Sequence, residues 1–176
     1  MAGTVWHCHV AMSLDGRIAR PDGAVEWLEP YPVEDFGLEA FYARVDTILM
    51  GRGTYDVARR MGEWPYGDKR VVVLTSRLLE EVAPPGVEVR AGDPSAIAAA
   101  LEGGGDRLVW VMGGGRVVRD FAAIGRLDVL EMAVIPVILG DGIPLFPAGM
   151  AEMRLRLVRC DVRTAGALHV VYARAA

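Results

Sequence analysis

The sequence is poor in the residues that mark several function classes. Its two cysteines, Cys8 and Cys160, lie far apart and in no CxxC pattern. That excludes a disulfide framework and a thiolate zinc cluster, and points to reduced thiols in a cytoplasmic protein. Lys69 is the single lysine, and 19 basic residues face 23 acidic ones for a net charge of −4. An acidic chain lacks the electrostatic footprint that nucleic acid needs. No apolar run approaches the roughly 18 residues of a membrane span, and no basic leader precedes an apolar core, so neither insertion nor export is expected. There are three histidines. On a strand His7 and His9 share a face while Cys8 points away, and His169 is distant in sequence, so at most two ligands converge and no metal site is expected.

What is present is a 176-residue chain with 52% hydrophobic residues, enough for one domain, 1–176, with a substantial core. Val5–Met12 reads as a strand, followed by a Ser13-Leu14-Asp15-Gly16 turn and a proline-rich loop from Arg20 to Pro32. Phe36, Leu38, Phe41, Tyr42 and Val45 recur at helical spacing behind Glu34 and Asp35, which predicts a helix over 35–45. Strands follow at Thr47–Met50, Arg70–Leu74 and Val87–Arg90, with helices over Thr54–Met61 and, capped by Asp93, Pro94–Leu101. After Leu108–Met112 and a helix from Arg116 to Ile124, the pattern changes. Val129–Ile138, Leu155–Val162 and Leu168–Ala173 are strand-like runs with no helix between them. Alternating β and α followed by meandering β predicts a mostly parallel sheet with antiparallel strands at its C-terminal end.

The strongest chemical signal is Gly113-Gly114-Gly115 between a buried strand and a helix. A side-chain-free turn aiming a helix N-terminus outward suits phosphate, although a glycine triplet also serves as a plain tight turn. The spacing does not match the dinucleotide fingerprint, because Val117 and Val118 stand where its third glycine belongs. Two further strand ends carry matching chemistry: Gly51-Arg52-Gly53-Thr54 and Thr75-Ser76-Arg77. Ligands of open α/β sheets sit beyond the carboxyl ends of parallel strands, and three arginines converging there suit a polyanion such as NADPH.

MGRGTY (50–55), LTSR (74–77) and VMGGGRVVRDF (111–121), in this order, resemble dihydrofolate reductase. AMSLDGRIA (11–19) and PVILGDGIPLF (136–146) resemble the reductase domain of bacterial riboflavin biosynthesis and its stand-alone relatives. The resemblance covers nearly the whole chain. It implies a dihydrofolate reductase-like three-layer α/β/α fold, with a central mixed sheet of about eight strands, antiparallel at the C-terminal end. It implies NADPH as cofactor, with Gly51, Arg52 and Thr54 on the pyrophosphate side and Thr75, Ser76 and Arg77 on the 2′-phosphate. Gly113, Gly114, Gly115, Arg116 and Val117 would line the nicotinamide-pyrophosphate turn.

On the substrate side the resemblance points to Asp15, which could equally be a turn aspartate bonding its own backbone. It also points to a helix carboxylate, Asp35 by one count and Glu39 by another. Trp27 would cover the nicotinamide or pack on the helix. FYARVD and DVARRMGEWPYG stand where riboflavin-pathway reductases carry their phosphoribosyl-pyrimidine contacts, so another small heterocyclic or carbonyl/imine substrate is expected. A non-catalytic NADPH-binding protein of the same fold is the alternative. The resemblance implies a homodimer, because in relatives the segment matching GDGIPLF supports a subunit contact beside an apolar strand that can pair across a two-fold axis.

Overall fold

Alternation of side chains along the first strand sets up both faces of the fold. In a computed structural model, which describes residues 3–79 and 82–175, β1 spans Val5–Ser13. Trp6 and Cys8 point into one buried cluster while His7 and His9 point to the opposite face. The remaining strands are β2 (Arg17–Ala19), β3 (Thr47–Gly51), β4 (Arg70–Leu74), β5 (Val87–Arg90), β6 (Leu108–Gly113), β7 (Val129–Ile135), β8 (Ile143–Pro144), β9 (Leu155–Val162) and β10 (Leu168–Arg174). The helices are α1 (Leu38–Arg44), α2 (Arg52–Arg60), α3 (Pro94–Gly103) and α4 (Gly115–Ala123).

The central sheet has eight strands in the order β5-β4-β3-β6-β1-β7-β10-β9. The pairs from β5 through β7 are parallel, and β10 runs antiparallel to both β7 and β9. This is the three-layer α/β fold with a mixed sheet that the residue pattern and the resemblance predict. Because β6 enters between β3 and β1, the chain reverses its direction of growth there. Parallel strand ends meet at that switch and leave a crevice beyond them.

On one face α3 and α4 cover Leu49, Val72, Val109, Val111 and Leu130, with Ile97, Leu101, Val118 and Phe121 as their inward residues. Burying each such side chain contributes about 1.5–3 kcal/mol. On the other face Phe41 of α1 and Tyr55 of α2 join Ile48, Met50, Val71 and Trp110. A separate cluster of Trp27, Phe36, Ala133, Ile135 and Ala167 covers β7 on this face.

Several boundaries differ from the sequence-based expectation. The helix expected over 35–45 is divided: Val33–Phe36 forms a 3-10 turn, and α1 begins only at Leu38. Gly37, at φ 67°, is left-handed between them, and a left-handed residue cannot continue a right-handed helix. The second helix starts at Arg52 rather than Thr54, with Gly51 at its N-cap. β7 stops at Ile135 before Pro136, and β2 and β8 pair as a small second sheet too short to show any sequence periodicity. Among the described residues no helix is long and apolar enough to cross a membrane.

Candidate functional site

The carboxyl ends of β1, β3, β4, β5 and β6 border a cleft of about 1060 Å³. The residues expected to hold the cofactor line it: Gly51, Arg52, Thr54, Thr75, Ser76, Arg77, Gly114, Gly115, Arg116 and Val117. Gly113 lies just behind this lining, and the peptide bond between Gly113 and Gly114 is cis.

Two helices begin in the cleft. A helix start leaves backbone N–H groups without intrahelical partners and carries partial positive charge. The first turn of α2 is Arg52-Gly53-Thr54 and that of α4 is Gly115-Arg116-Val117, so both present donors to the same space. Missing side chains let them come close. A Cβ on Gly51 would sit 3.2 Å from Val117 Cγ2, and one on Gly114 would sit 3.7 Å from Thr54 Oγ1 and 3.6 Å from Ile18 Cδ1. Met112 is an extra residue in β6 against β3, since Leu49 pairs with Val111 but Met50 with Gly113. Such a bulge bends the strand and redirects its end, here into the glycine triplet.

The cationic groups divide into two kinds. Arg52 is committed to protein partners: its Nε donates to Asp56 Oδ1 at 2.6 Å and its Nη1 to the Leu78 carbonyl at 2.9 Å. It thereby ties α2 to the segment after β4. Arg77 and Arg116 are exposed on the cleft rim and form no ion pair among the described residues. Thr75 Oγ1 accepts from the Arg77 amide at 3.1 Å, which fixes that turn. Arg90, at the end of β5, also lines the cleft and leans on Glu88 at 2.9 Å. Sequence reasoning found its strand but not its place, because only the order β5-β4-β3 brings that end beside Thr75.

The opposite wall comes from Ile18, Ala19, Pro21, Gly23 and Val25, with Gly142, Ile143 and Pro144. A Cβ on Gly142 would fall onto the Ala19 carbonyl oxygen. GDGIPLF therefore closes this side of the cleft. Among the described residues Asp120, on α4 and paired with Arg119 at 2.9 Å, is the acidic residue that lines it.

The three carboxylates expected near the substrate are not brought together. Asp15 accepts from Ser13 Oγ at 2.6 Å, the Leu139 amide at 3.0 Å and the Gly140 amide at 2.9 Å. The Ser13 hydroxyl first, then these amides, lower its carboxyl to about 2. It is a clamp between the β1 turn and the chain after β7, and it stands outside the cleft lining. With the folded-state value held below the ordinary aspartate value, the clamp's stabilisation is complete above about 4 and is lost progressively as pH falls from there toward 2. Hydrogen exchange should show the Leu139 and Gly140 amides protected at pH 5 and progressively unprotected below about 4, near the usual aspartate value. Equal protection at pH 2.5 and 5 would refute the clamp.

Asp35 accepts from the Thr164 amide at 3.4 Å, and Glu39 is exposed on α1. Neither lines the cleft. Trp27 is buried at 7% exposure against Phe36 and Ile135, so it packs beneath the loop and does not cover the cleft.

One polar group differs from the expectation that at most two of the histidines converge. His7, His9, Glu131 and His169 meet on the face of the sheet opposite Trp6 and Cys8. The expectation of two converging ligands considered a single strand. Pairing of His9 with Glu131 and of His169 with Ala133 puts three strands' side chains on one face. Burial pushes His9 down to about 4 against the pull of Glu131. Burial also works to raise the Glu131 carboxyl, but the surrounding imidazoles outweigh it and hold it at about 2. Cys8, on the other face, is buried, which raises its thiol to about 12, whereas Cys160 is exposed on β9.

Comparison with known proteins agrees with this architecture. The chain is 36% identical over 151 residues to the uncharacterized protein YwjB of Bacillus subtilis, covering 85% of this chain and 86% of that one. The crystal structure of a putative riboflavin biosynthesis protein from Shewanella sp. PV-4 superposes with a TM-score of 0.86 at 28% identity, covering 99% of each chain. Dihydrofolate reductase from Enterococcus faecalis, solved with NADP(H) and RAB-propyl, shares the fold at a TM-score of 0.69 and 21% identity, over 99% of this chain and 98% of that one. The family model for the RibD C-terminal domain matches residues 6–168, and the chain belongs to that family.

Proposed function

We propose that the chain binds NADPH in this cleft and passes its hydride to a small heterocyclic or carbonyl/imine substrate. The observation that carries the reading is the meeting of two helix N-termini, the Thr75-Ser76-Arg77 turn and the rim arginines at one sheet edge. The pyrophosphate would lie across the starts of α2 and α4, and the 2′-phosphate at Thr75, Ser76 and Arg77 with Arg90 beside it. The apolar end, lined by Val10, Ile18, Ala19 and Met112, suits the nicotinamide. The chemistry of the family and the NADP(H) bound by the Enterococcus faecalis enzyme support the same cofactor. The protein's part is to orient the ring, exclude water and leave the acceptor's proton to an ordered water.

Fluorescence titration tests this directly. NADPH should bind well below millimolar, and Arg77→Ala should weaken it about 10- to 100-fold, the worth of a charge-assisted hydrogen bond, while NADH binding changes little. Millimolar or absent NADPH binding by the wild type would overturn the reading.

One observation favours a second reading, a non-catalytic NADPH-binding protein: Asp15, Asp35 and Glu39 all lie outside the cleft lining. NADPH oxidation followed by its absorbance, over a panel of heterocyclic, carbonyl and imine acceptors, separates the two. Turnover with any acceptor, lost with the binding defect of Arg77→Ala, establishes the reductase. Tight binding without turnover leaves the binder.

The homodimer belongs to the proposal with a different contact from the one the sequence suggested. β7 is flanked by β1 and β10 and cannot pair with a second copy, whereas β9 is an open edge exposing Leu157, Val158 and Val162. Light scattering at micromolar concentration should give a dimer mass, which Val158→Lys shifts to monomer. A wild-type monomer would remove this part.

A further inference from the structure

We propose that His9, Glu131 and His169 form a binding site for one divalent first-row transition cation of the zinc class, with His7 as the residue that positions Glu131. All three histidines of the chain gather round this one carboxylate, His7 and His169 in contact with it and His9 within 4.8 Å. One ring nitrogen each from His9 and His169 and one Glu131 oxygen lie within 4.8 Å of one another. Imidazole nitrogen with a carboxylate is the donor set that zinc and its neighbours favour.

The convergence follows from strand pairing. His9 and Glu131 are partners across β1 and β7, and His169 sits one strand further on β10, opposite Ala133. Pairing on adjacent strands holds the three backbones fixed, so only side-chain rotation is needed to close on an ion. Bonds of about 2.0–2.2 Å in tetrahedral geometry put ligand atoms roughly 3.4 Å from each other, so no pair within 4.8 Å needs to close by more than about 1.4 Å. The 2.6 Å contact between His169 Nε2 and Glu131 Oε1 is a hydrogen bond, and the ion would take the place of its proton.

A self-sufficient hydrogen-bond network would leave no buried donor or acceptor idle. Here His9 is 6% exposed and its Nδ1 has no partner among the described residues. His7 Nε2 lies 2.9 Å from Glu131 Oε2, an ion-pair contact whose angle is poor for a hydrogen bond. A polar atom left unpartnered in the interior is costly, and His9 Nδ1 is such an atom. An ion drawing Glu131 round its χ angles gives His9 a bond and brings the second carboxylate oxygen into line with His7.

Aromatic rings pack against the group. Phe41 packs against His7 at 4.6 Å and His9 at 4.9 Å between ring centroids, and Phe36 lies 5.8 Å from His169. Arg159 Nη2 lies 3.7 Å from Glu131 Oε1, 3.4 Å from His169 Nε2 and 3.3 Å from His169 Nδ1, and Arg163 Nη2 lies 3.4 Å from that same Nδ1. With a cation on Nε2, that nitrogen carries the proton, so the two arginines must withdraw toward Asp161. Both already pair with it at 3.2 Å, and Arg159 is half-exposed on the edge strand. Three protein ligands leave a fourth position open, the arrangement of reactive rather than structural zinc sites.

The test is a Co²⁺ titration of tag-free, chelator-treated protein, followed by visible d–d absorption. The expected result is a saturable band at one Co²⁺ per chain, abolished by one equivalent of Zn²⁺, with Co²⁺ affinity reduced at least tenfold in His9→Gln and in His169→Gln. Because every histidine of the chain lies here, imidazole NMR signals of the wild type give a readout that needs no variant: the His9 and His169 rings should shift with Zn²⁺. The proposal is overturned by the absence of a saturable band up to millimolar Co²⁺, by a thiolate charge-transfer band assigning the ion to Cys160, or by folded variants that bind as the wild type does.

Discussion

Gly115→Ala should both destabilise the protein and disable the cleft, although it adds one carbon. A Cβ at this position would run onto the Pro144 carbonyl oxygen, and it would lie 2.8 Å from the Leu145 carbonyl oxygen and 3.1 Å from Pro147 Cδ. The obstacles are mainly backbone, and Leu145 is fully buried with its amide bonded to the Gly16 carbonyl at 2.9 Å, so that segment cannot simply swing away. Either α4 or β8 must move. Overpacking of this kind costs about 1–3 kcal/mol. Because Gly115 is the first residue of α4, the shift would carry the helix start out of line with that of α2, and NADPH affinity should fall tenfold or more. Gly53→Ala is the matched control. It also lies in the first turn of a helix bordering the cleft, yet nothing stands within 4 Å of its added Cβ, and alanine is the better helix former. Urea unfolding of the two variants should therefore separate them. A Gly115→Ala midpoint equal to that of the wild type would show that GDGIPLF does not press on the glycine triplet.

That contact illustrates what could and could not be read from the residues. The motifs at 51–54, 75–77 and 113–117 were legible because each is local: a strand end, small residues and a cation within a few positions. Their convergence required only that parallel strands end on one edge. The split at Gly37 was not legible, because Phe36, Leu38, Phe41 and Tyr42 keep helical spacing on both sides of a residue whose left-handed φ is the only interruption. Asp15 was ambiguous for a related reason. Its partners, the Leu139 and Gly140 amides, lie more than a hundred positions along the chain, so a turn aspartate and a cleft aspartate look alike in sequence. Arg90 and the histidine group depend on strand order and register, which a residue pattern does not specify. Counting ligands within VWHCHVAM could find only His7 and His9.

Register also makes Glu131 the residue whose loss should be felt most. With metal removed by chelation, Glu131→Leu should lower stability by about 3 kcal/mol, the range expected when one member of a buried charged group is deleted and the others stay. Leucine fills the space, so the loss would come from stranded polar atoms and not from a cavity. His169 Nε2 would lose an acceptor at 2.6 Å, His7 Nε2 the carboxylate oxygen at 2.9 Å, and Arg159 a negative charge at 3.7 Å. His169 is 1% exposed with Phe36 packed 5.8 Å from its ring, so a stranded nitrogen there gains little from solvent. Glu131→Gln keeps one acceptor oxygen and should cost less. The decisive comparison is the double variant Glu131→Leu with His169→Phe, which removes both sides of the shortest contact. If the penalty belongs to stranded partners, the double variant should be less destabilised than the sum of the two single ones, and urea unfolding of all four proteins gives that coupling. Strict additivity, or a Glu131→Leu protein within about 0.5 kcal/mol of wild type, the range of ordinary surface changes, would mean that the group is a set of independent side chains.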